Sequence, residues 1–310
     1  MISIKNFINY IIHIGLFIIF NALAINIYAT SIDNAKTNKV QANNHQVNNT
    51  QTINDKTNKS VTNIIIGASA IPHAEILKQV KALLIKDNIN LIIVEFNDYI
   101  IPNIALIKHK IDANYFQHQL YLNEFNHIHH TNLITLTNVH IEPMGIYLND
   151  NSKFNKIKLT KNIIDLPKGL TIGIPNDITN ETRAILLLEQ FKLIGAIPRT
   201  TIDITKKNIK NNYYQFKILE LDPAMLPRML KSHNLDMAII NSNYALQANL
   251  IPQQDALFVE NNNNPYINVI AIRDDEKNNP AILQLAKAMH SATIKDFILK
   301  NYHGAIIPVN

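Results

Sequence analysis

The chain is expected to be an α/β protein of two lobes with a ligand cleft between them. Three observations lead there. Asn63 to Ala68 (NIIIGA) is a short apolar run, followed by a helical pattern and a second apolar run, Leu91 to Val94. Strand, helix and strand within about thirty residues is the spacing of a parallel βαβ unit. The same grammar returns where Leu170 to Ile174 feeds a helix from Thr182 to Lys192. Finally, 310 residues with 47% hydrophobic content suffice for two domains and a large core. Open α/β sheets bind ligands beyond the carboxyl ends of their strands, which puts the cleft between the lobes.

Taken in order, Met1 to Asn6 carries one lysine, and Phe7 to Ala29 is an apolar run interrupted by Asn9, His13, Asn21 and Asn26. Ala22-Leu23-Ala24 and Ala29 are small-residue cleavage candidates. Residues 1–29 read as a secretory signal peptide, or as an uncleaved anchor, since the run is long enough to span a bilayer. On either reading the remainder is exported, to the periplasm or the outer face of the cytoplasmic membrane. Residues 30–61, rich in Asn, Thr, Lys and Gln and almost without large apolar side chains, cannot bury enough surface to offset their ordering entropy. They read as a disordered linker. The fold then begins at Thr62. Ser69 to His73 reads as a turn into a helix, on which Ala74, Ile76, Leu77, Val80, Leu83 and Leu84 share one face. Further strands are predicted at Gln215 to Leu219, Met237 to Ile240 and Asn268 to Ile272, with a closing helix from about Pro280 to Lys300. Lobe I is assigned residues 62–146 and 256–310, and lobe II residues 147–255.

Composition removes several functions. The net charge is +5, but the lysines are spread singly, with no basic stripe interleaved with aromatics, so no nucleic-acid partner is expected. The absence of cysteine excludes disulfides, thiolate metal sites, cysteine nucleophiles and lipid attachment through an N-terminal Cys. His127, His129 and His130 crowd a segment read as an exposed loop, with no carboxylate at metal-site spacing; no metal and no cofactor are expected. No acidic pair, nucleophile motif or phosphate loop is visible, and the chain is not expected to be an enzyme.

The most informative stretch runs from Val94 to Tyr121. It ends a strand, passes Asn97-Asp98-Tyr99, enters a helix through Pro102, and becomes a strand again from Ile111 to Tyr121. That last segment packs Asp112, Asn114, Tyr115, Phe116, Gln117, His118, Gln119 and Tyr121 together. Aromatic rings supply apolar area while amides and imidazole orient a small polar molecule, the composition of a pocket wall. His118 reads either as a general base or as a hydrogen-bonding pocket residue.

The second stretch is ITNETR. Thr179 or Asn180 is a suitable N-cap, which puts Arg183 in the first turn. A cation there opposes the helix dipole by roughly 0.3–1 kcal/mol. Either Arg183 completes an anion site suited to a carboxylate, or it pairs with Glu181 or Glu189. Asn138, His140, Glu142 and Met144 read as the end of one lobe, with Pro143 and Gly145 suited to a hinge. Asn241, Asn243 and Tyr244 follow a strand, where loop amides can meet a ligand; Asn268, beside Pro265 and Tyr266, is ambiguous in so Asn-rich a chain.

The blocks NIIIGAS, PHAEILKQVK, VEFNDYIIPNIAL, IDANYFQHQLYLNEFN, NVHIEPMGIY, LPKGLTIGIPNDITNETRAILLLE, LPRML, AIINSNYAL, DALFVE, NPYINVIAIRDDE and GAIIPV, in that order, closely resemble the methionine-binding lipoprotein family. These are the NlpA-type extracytoplasmic solute receptors of the methionine ABC importer, and the resemblance runs from about Asn63 to Pro308. It implies a periplasmic-binding-protein-like fold that closes around methionine and delivers it to a membrane permease with its ATPase, working as a monomer. Carried over by position, Tyr99, Phe116, His118 and Tyr121 would form the side-chain pocket and Arg183 would bind the α-carboxylate. Asn180, Asn241 and Asn268 would meet the backbone groups of the amino acid. L-methionine, D-methionine, a methionine-containing dipeptide and another small amino-acid ligand all remain open. So does a surface adhesin that no longer transports. One departure stands out: the family is typically lipidated on a Cys after the signal peptide, and here there is none.

Overall fold

The computed structural model describes residues 60–150, 159–160, 163–164, 166–197 and 203–309. The expected signal segment and residues 30–59 of the expected linker lie outside the described residues. The first part of the fold is β1 (Thr62–Ser69), a helical turn at Ala70–Ala74, α1 (Glu75–Leu84), β2 (Ile89–Phe96), α2 (Ile101–Ile107), β3 (Ala113–His118), α3 (Gln119–His129) and β4 (Ile134–Ile141). The chain then crosses into β5 (Gly145–Leu148), a ribbon of β6 (Leu159–Thr160) and β7 (Ile163–Ile164), β8 (Thr171–Pro175) and α4 (Ile178–Gln190). There follow β9 (Lys217–Leu221), α5 (Leu226–Lys231), β10 (Met237–Ile240), α6 (Ser242–Gln247), α7 (Pro252–Asp255) and β11 (Phe258–Val259). It returns with β12 (Ile267–Ile272), α8 (Pro280–Met289), α9 (Ala292–Tyr302) and β13 (Ile307–Pro308).

Two main sheets result, in the orders β13-β4-β12-β3-β1-β2 and β11-β5-β10-β8-β9. Within each, a parallel core is extended by antiparallel strands: β1 runs parallel to β2 and β3, β8 parallel to β9 and β10, while β12 and β5 join antiparallel. Near-continuous apolar strands, whose successive side chains point to opposite faces, explain why both sheets are covered on both faces. On β10, Met237 and Ile239 enter the core beneath α4, whereas Ala238 and Ile240 enter that beneath α5 and α6. On β12, Ile270 and Ile272 pack with α1, α8 and α9, and Val269 and Ala271 with α2 and α3. Phe258–Val259, assigned to lobe I from the sequence, pairs with β5 in the second sheet. The chain therefore passes between sheets at residues 142–144 and again at residues 260–266.

Several boundaries differ from the sequence reading, each for a local reason. The helix expected from Thr182 starts at Ile178, because Asp177 is its N-cap and accepts the Asn180 amide at 3.0 Å. The strand expected to reach Tyr121 stops at His118, whose Nδ1 accepts the Tyr121 amide at 3.0 Å and caps α3. His127 and His129 consequently sit in the last turn of α3 and not in a loop. The single closing helix is two, divided where Ser291 caps α9.

Candidate functional site

The carboxyl ends of β2, β3, β4, β8 and β10 converge on one cavity, part of it open to solvent. Its walls are Tyr99, Phe116, Gln117, His118, Tyr121, Glu142, Asn180, Arg183, Asn241, Ser242 and Asn268. All eight residues singled out from the sequence are among them. Register explains the closest juxtapositions: β12 places Asn268 opposite His118 on β3 and His140 on β4.

One side of the cavity is aromatic. The ring of Tyr99 lies 5.9 Å from Phe116 and 6.0 Å from Tyr121, and Phe116 lies 6.1 Å from Tyr121. Tyr99 does more than line the wall. Its hydroxyl donates to Asn243 Oδ1 at 2.5 Å, and Tyr244 returns a bond to the Asn97 carbonyl at 3.2 Å, so residues following β2 and β10 hold the two lobes together.

The opposite side is polar, and hydrogen bonding fixes each group. His118 accepts the Tyr121 amide on Nδ1, so its Nε2 carries the proton and donates to Asn180 Oδ1 at 3.3 Å. That oxygen also accepts from Asn241 Nδ2 at 2.8 Å, while Asn180 Nδ2 donates to both oxygens of Asp177. Burial, reinforced by the nearby Arg183 charge, lowers the His118 pKa to about 3. A neutral imidazole with both nitrogens engaged has no lone pair for a substrate proton, so the general-base reading lacks a base.

Arg183 is not where the sequence put it. With α4 starting at Ile178 it lies beyond the first turn, and the dipole argument lapses. What it needs is a counter-charge for burial, since it is 2% exposed. Neither Glu181 nor Glu189 provides it. The partner is Glu260, which accepts from Nη2 at 2.5 Å and from Nε at 3.1 Å; Nη2 also donates to the Glu142 carbonyl at 2.6 Å. Tyr266 lies under the guanidinium at 4.2 Å. Burial pulls the guanidinium pKa down, but Glu260 outweighs it and Arg183 stays charged. Among the described residues Nη1 has no protein partner.

Behind this wall His73 and His140 both address Glu142. His140 Nε2 is 2.7 Å and His73 Nε2 is 3.3 Å from Glu142 Oε1; His73 Nε2 also bonds Asn268 Oδ1 at 3.1 Å, and Tyr115 donates its hydroxyl to His140 Nδ1. His73 Nε2 faces two acceptors and so bears the proton, leaving Nδ1 buried and, among the described residues, without a partner. Full burial lowers the His73 pKa to about 4. Burial also works to raise the Glu142 pKa, but the two imidazoles and Arg183 outweigh it, and the carboxylate lies below its usual range. His73, His140 and Glu142 are the described residues whose donor atoms converge closely enough to hold a metal, within 4.8 Å. Tetrahedral zinc ligands stand about 3.3 Å apart, so the 2.7 Å contact is that of a hydrogen bond.

Sequence reasoning overlooked Glu260 and did not place Glu142 or Ser242 in the wall. A signal for Glu260 existed: a buried Arg requires an anion, and Glu260 is the acidic residue that ends DALFVE just before the chain crosses back between the sheets.

A two-lobed α/β fold with a polar and aromatic cavity between the lobes is the architecture of substrate-binding lipoproteins. Residues 64–310 match the NlpA lipoprotein family, and the chain belongs to that family. It is 38% identical over 250 residues to the methionine-binding lipoprotein MetQ of Bacillus subtilis, covering 80% of this chain and 88% of that protein. A nutrient-binding protein from Burkholderia cenocepacia, solved bound to methionine, superposes with a TM-score of 0.73 at 37% identity, over 80% of this chain and all (100%) of the other. A periplasmic substrate-binding protein of an ABC transporter from Coxiella burnetii gives 0.71 at 36% identity, covering 79% and 100%.

Two outcomes test this geometry. Arg183→Met leaves Glu260 buried without its cation and is expected to cost about 3–5 kcal/mol in urea unfolding, most of it recovered when Glu260→Met is added; a single variant as stable as wild type contradicts the pairing. The lowered pKa values of His73 and His118 mean that the unfolded chain protonates first as pH falls. Stability is therefore complete above about pH 6.5 and drops by about 2 kcal/mol per imidazole by about pH 5. A flat stability profile over that range contradicts the assigned protonation.

Proposed function

We propose that this chain is an extracytoplasmic solute-binding protein that captures methionine in the cavity between its lobes and hands it to the permease and ATPase of an ABC importer. The observation that carries the reading is the convergence of Tyr99, Phe116, His118, Tyr121, Asn180, Arg183, Asn241 and Asn268 on one cavity, half aromatic and half polar. A thioether against aromatic rings gains about 0.3–1.5 kcal/mol per contact, beyond roughly 1.5–3 kcal/mol for burying the apolar side chain. Hydrogen bonds to a charged carboxylate add roughly 1.5–3 kcal/mol. The names of the relatives support the same solute. The protein binds and releases without turnover, as a monomer.

The lobes close by forming the Tyr99–Asn243 and His118–Asn180 bonds across the cavity, which ties affinity to closure. No helix among the described residues is long and apolar enough to cross a membrane. The relatives are named lipoproteins, whereas this sequence has no cysteine to carry a thioether-linked lipid. The lipoprotein names of the relatives support a place outside the cytoplasmic membrane.

Calorimetry on the full chain, refolded from denaturant to remove carried ligand, decides the solute. Tight binding of L-methionine or D-methionine is expected, and whichever binds better defines the stereochemistry. Preference for glycyl-methionine redirects the reading to peptides. No heat from any of the three, in protein that unfolds cooperatively, overturns it in favour of another solute or an adhesin.

A further inference from the structure

Outside the cavity, the start of α4 carries a second set of contacts. Asn180 and Arg183 line the cavity, while the two residues between them, Glu181 and Thr182, hold the chain that leads toward β9. The Thr182 hydroxyl donates to the Ile204 carbonyl at 3.0 Å and accepts the Ile204 amide at 2.8 Å. Glu181 Oε1 accepts the Lys206 amide at 2.8 Å. Ile204 is buried in the core beneath α4, so residues 204–206 form a strap drawn along the helix.

The strap ends at two carboxyl groups. Glu181, 5% exposed, lies within hydrogen-bonding reach of Glu220 on β9, and Glu220 Oε2 is 2.8 Å from Lys206 Nζ. Two carboxyl groups hydrogen-bond to each other only when one carries a proton. Among the described residues the cations that face the pair are Lys206 and Lys207 of the strap; on the helix side, Arg183 is engaged by Glu260 and Asp177 by Asn180. Lys206 is bound to Glu220 and holds it below the usual carboxylate range, so the proton resides on Glu181. Burial raises the Glu181 pKa, the Lys206 amide opposes this, and the bond to Glu220 adds to it, leaving the group at about 7.

We propose that Glu181 and Glu220 share one proton, which holds the strap and the edge strand β9 to the start of α4, and that its loss loosens the stretch of wall that carries Asn180. The cavity is thereby tied to pH from outside, through a pair that touches no ligand. Solute binds the latched arrangement, so binding takes up the proton and affinity declines as pH rises. The binding readout rests on methionine being the solute.

The test compares the full chain with Glu181→Gln, whose side chain accepts the Lys206 amide and donates to Glu220 at any pH, as protonated Glu181 does. Methionine affinities of the two are expected to agree within about 2-fold at about pH 6, and wild type to bind about 3- to 10-fold more weakly than the variant at about pH 8.5. Parallel pH profiles overturn the coupling. In the unfolded chain the carboxyl titrates near about 4.3, so the stability that the bound proton confers is full below about pH 4.3 and is lost as pH rises to about 7. The urea midpoint of wild type, taken against that of the variant, therefore falls across that window, and a constant difference overturns the shared proton. Should the variant not fold, the carbon-13 shift of the Glu181 carboxyl in wild type decides the same point: a midpoint near about 7 supports the shared proton and one near about 4.3 overturns it. Wild type that binds no methionine at any pH overturns the parent reading instead, while the urea and carboxyl readouts still decide the latch.

Discussion

The Arg183–Glu260 pair is the constraint on which the site depends. Arg183 comes from α4 in the second lobe, while Glu142 and Glu260 lie on the two segments that pass between the sheets. One guanidinium binds the carbonyl of the first and the carboxylate of the second, and the same carboxylate accepts the Met144 amide at 3.1 Å. The crossing segments are thereby fixed to each other and to the helix whose N-terminus carries Asn180. Buried pairs of this kind contribute little net stability but are costly to break, so their effect is geometric. It sets where Glu142, Asn180 and Arg183 Nη1 stand relative to one another.

Around that fixed point the groups are neutral or paired in a defined order. His118 and His73 are held as uncharged imidazoles by burial, each with a single tautomer dictated by its partners. Their protons orient Asn180 and Asn268, and the orientation of those amides decides which atoms remain for a ligand. The aromatic side needs no such control, because rings recognise an apolar chain by area and shape. The Tyr99 hydroxyl and the His118 imidazole join the two halves by hydrogen bonds to Asn243 and Asn180.

Much of this was legible in the sequence because it is local. Short continuous apolar runs located β1, β8, β10 and β12, and the mixture of rings and amides in YFQHQLY marked the wall. What was not legible is long-range or depends on a cap. Asp177 and His118 act as caps, and each moved a boundary; the shift at Asp177 removed the dipole argument for Arg183 while leaving its place in the cavity intact. Glu260 is separated from Arg183 by 77 residues, a pairing that spacing cannot reveal. Glu142 read as the end of a lobe because its partner His73 is distant in sequence, its ring arriving from the turn after β1.

The most direct test of the account is a crystal structure of the full chain with L-methionine. The account predicts the thioether among Tyr99, Phe116 and Tyr121 and the carboxylate against Arg183 Nη1 and Asn268 Nδ2. Methionine bound outside this cavity, or reversed with its ammonium toward Arg183, contradicts it.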